Sequence, residues 1–342
     1  MFKDPIPMSP KSKELDKVIY EYLENFPEYP TLTIAKMICE DYPSMFNTLE
    51  DARQSVRYRR NERIERRTEK KEKFERTPEQ RKAALGTFKL PDSDYQKKDD
   101  YLIPVGNNRG LIMNDIHIPY HDMTALEAAI THGINFKPNF IYLNGDTIDM
   151  YQASRFIKDR LKRDLAGEIE LTREFLRMLQ DTFSCTIYFK MGNHEDRWEH
   201  YMMTKAPELL GIKDFKLSEV LRFGELGVQQ VDSKQLCRMG NMIVMHGHEF
   251  GQSVFSPVNS ARGLYMKAKA NCAVGHHHQT SEHTEKDVNG NVVTTFSIGS
   301  LCGLSPDYFP YNKWNHGFAT IETEPNGDYE FRNYRIINGK VQ

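Results

Sequence analysis

The sequence predicts an α/β protein of two facing mixed β-sheets flanked by helices, with a small all-α domain ahead of it. Three observations carry that expectation. From Arg109 onward, short apolar runs alternate with longer amphipathic ones, and each apolar run ends in a polar cluster. From about Leu236 the chain turns to short apolar or β-branched runs joined by Gly–Asn and Asn–Gly turns. Residues 1–75 instead space their apolar side chains as helices do and are rich in arginine.

A chain of 342 residues, 39% hydrophobic and 27% charged, has room for one large domain and a smaller one, each with a packed core. No apolar run reaches the roughly 18 residues of a membrane span. The start, MFKDPIPMSP, lacks a basic-then-apolar secretory pattern. These features lead us to expect a cytoplasmic protein, of a bacterium or a phage-infected cell, without a membrane partner. The five cysteines, Cys39, Cys185, Cys237, Cys272 and Cys302, are scattered and form no CxxC pair. That favours reduced thiols over disulfides or a thiolate zinc site.

Within 11–25, Leu15, Val18, Ile19 and Leu23 mark a first amphipathic helix. Thr31–Glu40 reads as a second, opened by a threonine cap and stopped near Pro43. A third starts at Thr48, where Thr48-Leu-Glu-Asp51 resembles a capping box, and runs on through RQSVRYRRNERIERR. Three short helices ending in an arginine-rich one suggest a helix-turn-helix-like domain over 1–75. Arg53, Arg57, Arg59 and Arg60 are its candidate DNA contacts, with Arg63, Arg66 and Arg67 beyond them. A solvated face paired with Glu62, Glu65, Glu69, Glu72 and Glu75 is the other reading, and both stay open here. Residues 76–100, with Gly86, Pro91 and KKDD, read as a charged linker before a catalytic domain over 101–342.

In that domain Gly110–Met113 is a strand ending in Asn114-Asp115-Ile116-His117, and 123–136 suit a helix. Phe140–Leu143 is a strand ending in Asn144-Gly145-Asp146 and Asp149. A helical stretch follows through Ile157, Leu161, Leu165, Ile169, Leu176 and Leu179. The strand from Cys185 then ends in Gly192-Asn193-His194-Glu195. Open α/β sheets gather ligands at this carboxyl edge. Leu236–Met239 and Met242–Met245 form a hairpin through Gly240-Asn241 that ends in His246-Gly-His248. Asn271–Val274 ends in Gly275-His276-His277-His278, and further hairpins turn at Val288–Asn291 and Pro325–Asp328.

Asp115, His117, Asp146, Asn193, His246, His276 and His278 offer oxygen or imidazole nitrogen and no sulfur. That donor set selects Mn, Fe, Zn or Mg. It is too many ligands for one ion but suits two divalent ions bridged by a carboxylate, a device for displacement at phosphorus.

The ordered pattern DxH…GDxxD…GNHE…H…GHxH, over roughly 108–323, resembles the calcineurin-like metallophosphoesterase superfamily, in its branch of DNA-repair nucleases and phage-type phosphoesterases. The resemblance implies a four-layer αββα sandwich. It implies that Asp115, His117 and His278 hold one ion, that Asn193, His246 and His276 hold the other, and that Asp146 bridges them. Mn is the expected metal, and a hydroxide between the ions is the implied nucleophile. His194 is the implied general acid and steadies the phosphate oxygens, with Asp149 orienting it. The same pattern favours His246 over His248. Strand alternation turns His277 away from the ions. His121 reads as structural, and Glu195 as a helix cap or a support for a neighbouring ligand.

Three functions follow as expectations. A phosphodiesterase acting on DNA is favoured by the arginine-rich domain and by Arg155, Lys158, Arg160, Lys162 and Arg163 after GDTID. The short stretch after His278 argues against the capped double-strand-break type. A phosphomonoesterase shares GNHE with the Ser/Thr protein phosphatases, but Met150-Tyr151 replace the Arg-Gly pair that branch carries after GDxxD. A DNA-binding regulator using the fold as scaffold is the third, disfavoured because every ligand position is filled. Tyr308, Phe309, Tyr311 and Trp314 either stack bases or simply pack a loop.

Overall fold

The computed structural model describes residues 10–72, 77–87, 91–106, 108–155, 164–250 and 259–342. The chain divides into two compact units, Met1–Tyr95 and Gln96–Gln342. In the first, α1 (Pro10–Asn25), α2 (Thr31–Asp41) and α3 (Leu49–Glu72) close around Ile19, Leu23, Ile34, Ile38, Ala52 and Val56. Their three- and four-residue spacing puts these side chains on one face of each helix.

Two helix starts differ from the sequence expectation. Pro30, not a threonine, holds the cap of α2, and no side chain caps it. The Thr31 hydroxyl is engaged instead by Arg60, whose Nη1 donates to it at 3.1 Å. Residues 76–100, expected as linker, contain α4 (Pro78–Thr87). Its start is a reciprocal capping box: the Gln80 N–H donates to Thr77 Oγ1 (3.3 Å) and the Thr77 N–H to Gln80 Oε1 (3.0 Å). At α3 the Asp51 N–H donates to Thr48 Oγ1 (3.1 Å), as the box-like motif predicts.

The second unit opens with β1 (Tyr101–Ile103), β2 (Asn108–Met113), α5 (Met123–Phe136), β3 (Phe140–Asn144), α6 (Leu165–Phe183) and β4 (Thr186–Lys190). Residues 156–163, with Ile157, Lys158, Arg160, Leu161, Lys162 and Arg163, lie outside the described residues. Next come α7 (Asp196–Lys205), the short α8 (Leu217–Val220) and α9 (Phe223–Leu226), and then β5 (Val228–Val231), β6 (Cys237–Met239) and β7 (Met242–Met245). The chain ends with α10 (Ser260–Ala268), β8 (Cys272–Val274), β9 (Ser281–Lys286), β10 (Val292–Ser297), β11 (His316–Thr323), β12 (Tyr329–Ile337) and β13 (Lys340–Val341).

Two mixed sheets result. One has the order β13-β12-β11-β2-β3-β4-β5, with β2 to β5 parallel; the other is β1-β6-β7-β8-β10-β9. Strand alternation divides the side chains between two faces. Ile112, Phe140, Tyr142 and Ile321 of the first sheet pack against Met239, Val244, Ala273 and Phe296 of the second. Leu111, Met113, Ile141 and Phe189 turn the other way, onto Leu126 and Ala129 of α5 and Leu176 and Leu179 of α6. On the far side Met245, Cys272 and Val274 meet Leu264 of α10. The layers are therefore helix, sheet, sheet, helix. Asn144 ties the sheets together at their carboxyl edge, its Nδ2 donating to the Met245 carbonyl at 2.7 Å. Among the described residues no helix is long and apolar enough to cross a membrane.

Candidate metal centre

The strand tips converge. Asp115 and His117 follow β2, Asp146 and Asp149 follow β3, Asn193 and His194 follow β4, His246 follows β7, and His276 and His278 follow β8. The backbone is bent hard at these points. Asp115, His117, Asp146, His276 and His278 all have φ between 51° and 61°. Lys137, Ser184 and Lys269 also have positive φ, but as ordinary left-handed helix ends. Left-handed non-glycine residues clustered where polar side chains meet mark a functional site.

Two donor clusters share Asp146. In one, Asp115, His117 and Asp146 bring ligand atoms within 4.8 Å of one another. His278 joins it: its Nε2 lies 3.1 Å from Asp115 Oδ1 and 3.4 Å from His117 Nε2. In the other, Asp146, His246 and His276 converge within the same distance. Here His246 Nε2 is 3.2 Å from both Asp146 Oδ2 and Asn193 Oδ1. Two imidazole nitrogens turned on each other beside a carboxylate gain little from one another, whereas a shared cation satisfies all three. The hard and borderline donors present fit a pair of divalent ions.

The charge balance agrees. Burial lowers the imidazoles of His246 and His278, but Asp146 and Asp115 overcome it and lift both to about 10. Burial raises the Asp146 carboxyl, yet His194 and His246 hold it well below the usual carboxylate range. His276 is driven down to about 3 by burial and by His246. The pocket thus draws positive charge to its carboxylates, and ions binding there would take the place of the protons on His246 and His278.

Supports fix three of the four rings. His246 Nδ1 contacts the Asn144 carbonyl at 2.7 Å, which assigns it that proton and leaves Nε2, turned toward Asp146, as the nitrogen able to ligate an ion. His117 Nδ1 rests on Asp149 Oδ1 (3.1 Å). His278 Nδ1 faces Cys302 Sγ at 3.8 Å, so the thiol touches the nitrogen turned away from Asp115. Gly192 is required: a Cβ there would sit 2.3 Å from Asp146 Oδ1.

His194 stands beside the clusters. Its Nδ1 lies 2.8 Å from the Asp149 carbonyl and 3.1 Å from Asp149 Oδ1; its Nε2 is 3.7 Å from Asp146 Oδ2. His248 is turned elsewhere, its Nε2 on Ser233 Oγ at 2.9 Å. Among the described residues His277 and His121 belong to neither cluster.

Two residues emerge that the motifs did not assign, Arg197 and Lys190. Glu195 takes the second of its two expected roles, supporting neighbouring ligands rather than capping a helix with its side chain. Arg197 donates to His194 Nε2 and to the Asp149 carbonyl, each at 2.8 Å. Its signal was position alone, one helical turn after His194. Glu195 accepts N–H bonds from Asp146, Thr147, Ile148 and Gly192 (2.8–3.3 Å), clamping two ligand loops together. Lys190, fully buried, donates to the carbonyls of Asp232, Ser233 and Gln235 (2.6–2.8 Å) and pairs with Glu249 at 3.2 Å. Glu249 in turn accepts from the N–H groups of His246 and Gly247.

The candidate DNA contacts divide. Arg59 pairs with Asp16, and Arg60 donates to the Tyr29 carbonyl and Thr31, so both brace their own unit. Arg57 is exposed, and Arg53 is on the surface beside Glu50. The side chains of Arg63, Arg66 and Arg67 lie outside the described residues. Trp314 packs edge-on against His278, ring centres 4.2 Å apart, while Tyr308 and Tyr311 stand in solvent.

The calcineurin-like phosphoesterase family model matches residues 109–296. Gene 54 protein of Mycobacterium phage L5 is 25% identical over 231 residues, covering 64% of this chain and 90% of that protein. Similar solved structures include Vacuolar Protein Sorting 29 of Cryptosporidium parvum (TM-score 0.38, 15% identity, 70% of this chain and 96% of that one). A dimetal phosphatase of Danio rerio gives 0.36, 11%, 67% and 96%, and the E. coli phosphoesterase Yfce 0.33, 11%, 68% and 96%.

Proposed function

Because the chain belongs to the calcineurin-like phosphoesterase family, a family of metal-dependent hydrolases of phosphoester bonds, we propose that it is a dinuclear phosphodiesterase acting on DNA, with manganese as its metal. The carrying observation is the pair of donor clusters on Asp146 with His194 at their edge. Asp115, His117 and His278 would hold one ion and Asn193, His246 and His276 the other, with Asp146 between. Such a pair, when bound, supplies Lewis acidity that stabilises charge on the phosphate and makes water a stronger nucleophile.

The chain's own groups supply the rest. Asp149 holds His194 through Nδ1, which leaves Nε2 facing the reacting phosphate. Arg197 now donates to that Nε2; a phosphate oxygen is the better acceptor for its guanidinium. Once Arg197 turns to phosphate, Nε2 can carry a proton to the leaving alkoxide, with Asp149 stabilising the imidazolium.

A diester is favoured over a monoester by the loop after Asp149. Met150 is buried and Tyr151 lines a cavity, so neither brings a cation to the phosphate and Arg197 is left to do so. One guanidinium suits a monoanionic diester better than a dianionic monoester. The test is a metal-by-substrate panel of bis(p-nitrophenyl) phosphate, p-nitrophenyl phosphate, and single-stranded and gapped DNA. We expect manganese-dependent cleavage of the diester and of DNA, lost in His194→Ala and Asp146→Asn. Turnover of the monoester alone would replace this reading with a phosphatase.

A further inference from the structure

We propose that the cavity beside His278 is a nucleobase subsite, taking the heteroaromatic ring of the nucleotide next to the scissile phosphate; the proposal rests on the phosphodiesterase reading above. The cavity measures about 350 Å³, and His117, Asp149 and His278 belong to its lining. Anything bound there lies against two of the residues that would ligate the ions and against the carboxylate that orients His194. The remaining lining is strongly aromatic, with Tyr120, Tyr151, Tyr308 and Trp314. Trp314 joins this wall to the donors, its ring centre 4.2 Å from that of His278 and 6.5 Å from that of Tyr308.

Size, charge and exposure select the occupant. Small-molecule sites span about 300–1,000 Å³, so this cavity has room for one planar ring and its sugar but not for a folded partner. Asp307 also lines it, which disfavours a second phosphate of the chain and favours an uncharged ring. Tyr308 remains 81% exposed at this site, a large aromatic surface held in water. A flat π-face there is what a base would cover, and every base has one.

The test uses the full-length protein in two formats. By titration calorimetry, deoxyadenosine should bind saturably and 2-deoxyribose should not. In turnover, a dinucleotide should exceed its abasic counterpart in kcat/KM by about tenfold or more. Tyr308→Ala should weaken deoxyadenosine binding about tenfold and narrow the substrate ratio to about twofold, while Tyr308→Phe, which keeps the ring, should preserve both. Lack of saturable deoxyadenosine binding up to about 10 mM, or an unchanged ratio in Tyr308→Ala, overturns the subsite. Tyr308-dependent nucleoside binding without cleavage of either diester would sink the phosphodiesterase reading and keep the subsite. Equal cleavage of both diesters without nucleoside binding would do the reverse.

Discussion

Lys190 illustrates how a single buried charge can set a distant ligand. Its ammonium is enclosed by three carbonyls and the Glu249 carboxylate, and Glu249 holds the backbone of His246. Lys190→Met would leave four acceptors without their donor in a buried pocket, which costs about 3 kcal/mol or more. We expect a lower urea midpoint together with weaker manganese binding, because His246 loses its support. Glu249→Gln, which keeps only one of the two acceptor oxygens, should shift both readouts in the same direction but by less. Arg197 acts at the same scale but on the substrate. Arg197→Ala should lower kcat/KM for a diester about 10- to 100-fold with metal content unchanged. Arg197→Lys should not restore it, since one ammonium cannot keep the Asp149 carbonyl and also reach the phosphate as the guanidinium fork can.

Among the elements, the hairpin between β6 and β7 offers a clear test. Gly240 turns it at φ 61°, and a Cβ there would lie 2.5 Å from the Gly327 carbonyl oxygen in the β11–β12 turn. Gly240→Ala should therefore destabilise the second unit by about 1–3 kcal/mol, read as a drop in melting temperature. This hairpin was legible in the sequence because turn chemistry and strand alternation are local. The ligand-bearing tips were legible for the same reason, each closing a short apolar strand. What local pattern could not show was partnership across the fold. Thr31 looked like a cap because nothing nearby revealed that Arg60 would claim its hydroxyl. The Thr77–Gln80 box was hidden by the charge around it, although its two residues stand at the three-residue spacing the motif requires. Lys190 resembled any strand residue until β5 and the loop after it closed over its ammonium.

At the scale of the whole molecule, both donor clusters of the described residues sit in the second unit, while the first carries a separate core and an arginine-bearing helix. Whether that unit grips DNA is decided by which arginines are available. Arg59 and Arg60 are committed to Asp16, Tyr29 and Thr31, so replacing either should loosen the unit itself. Arg53 and Arg57 are the described pair able to meet phosphate without such a loss. Each phosphate contact releases condensed counterions and steepens the fall of affinity with salt by about 0.9 on a double-logarithmic plot. In the full chain, Arg53→Ala with Arg57→Ala should then flatten that slope by about 2 for duplex DNA. Small-diester turnover should not change. An unaltered slope would remove DNA from the role of the first unit and leave a protein partner as its more natural ligand.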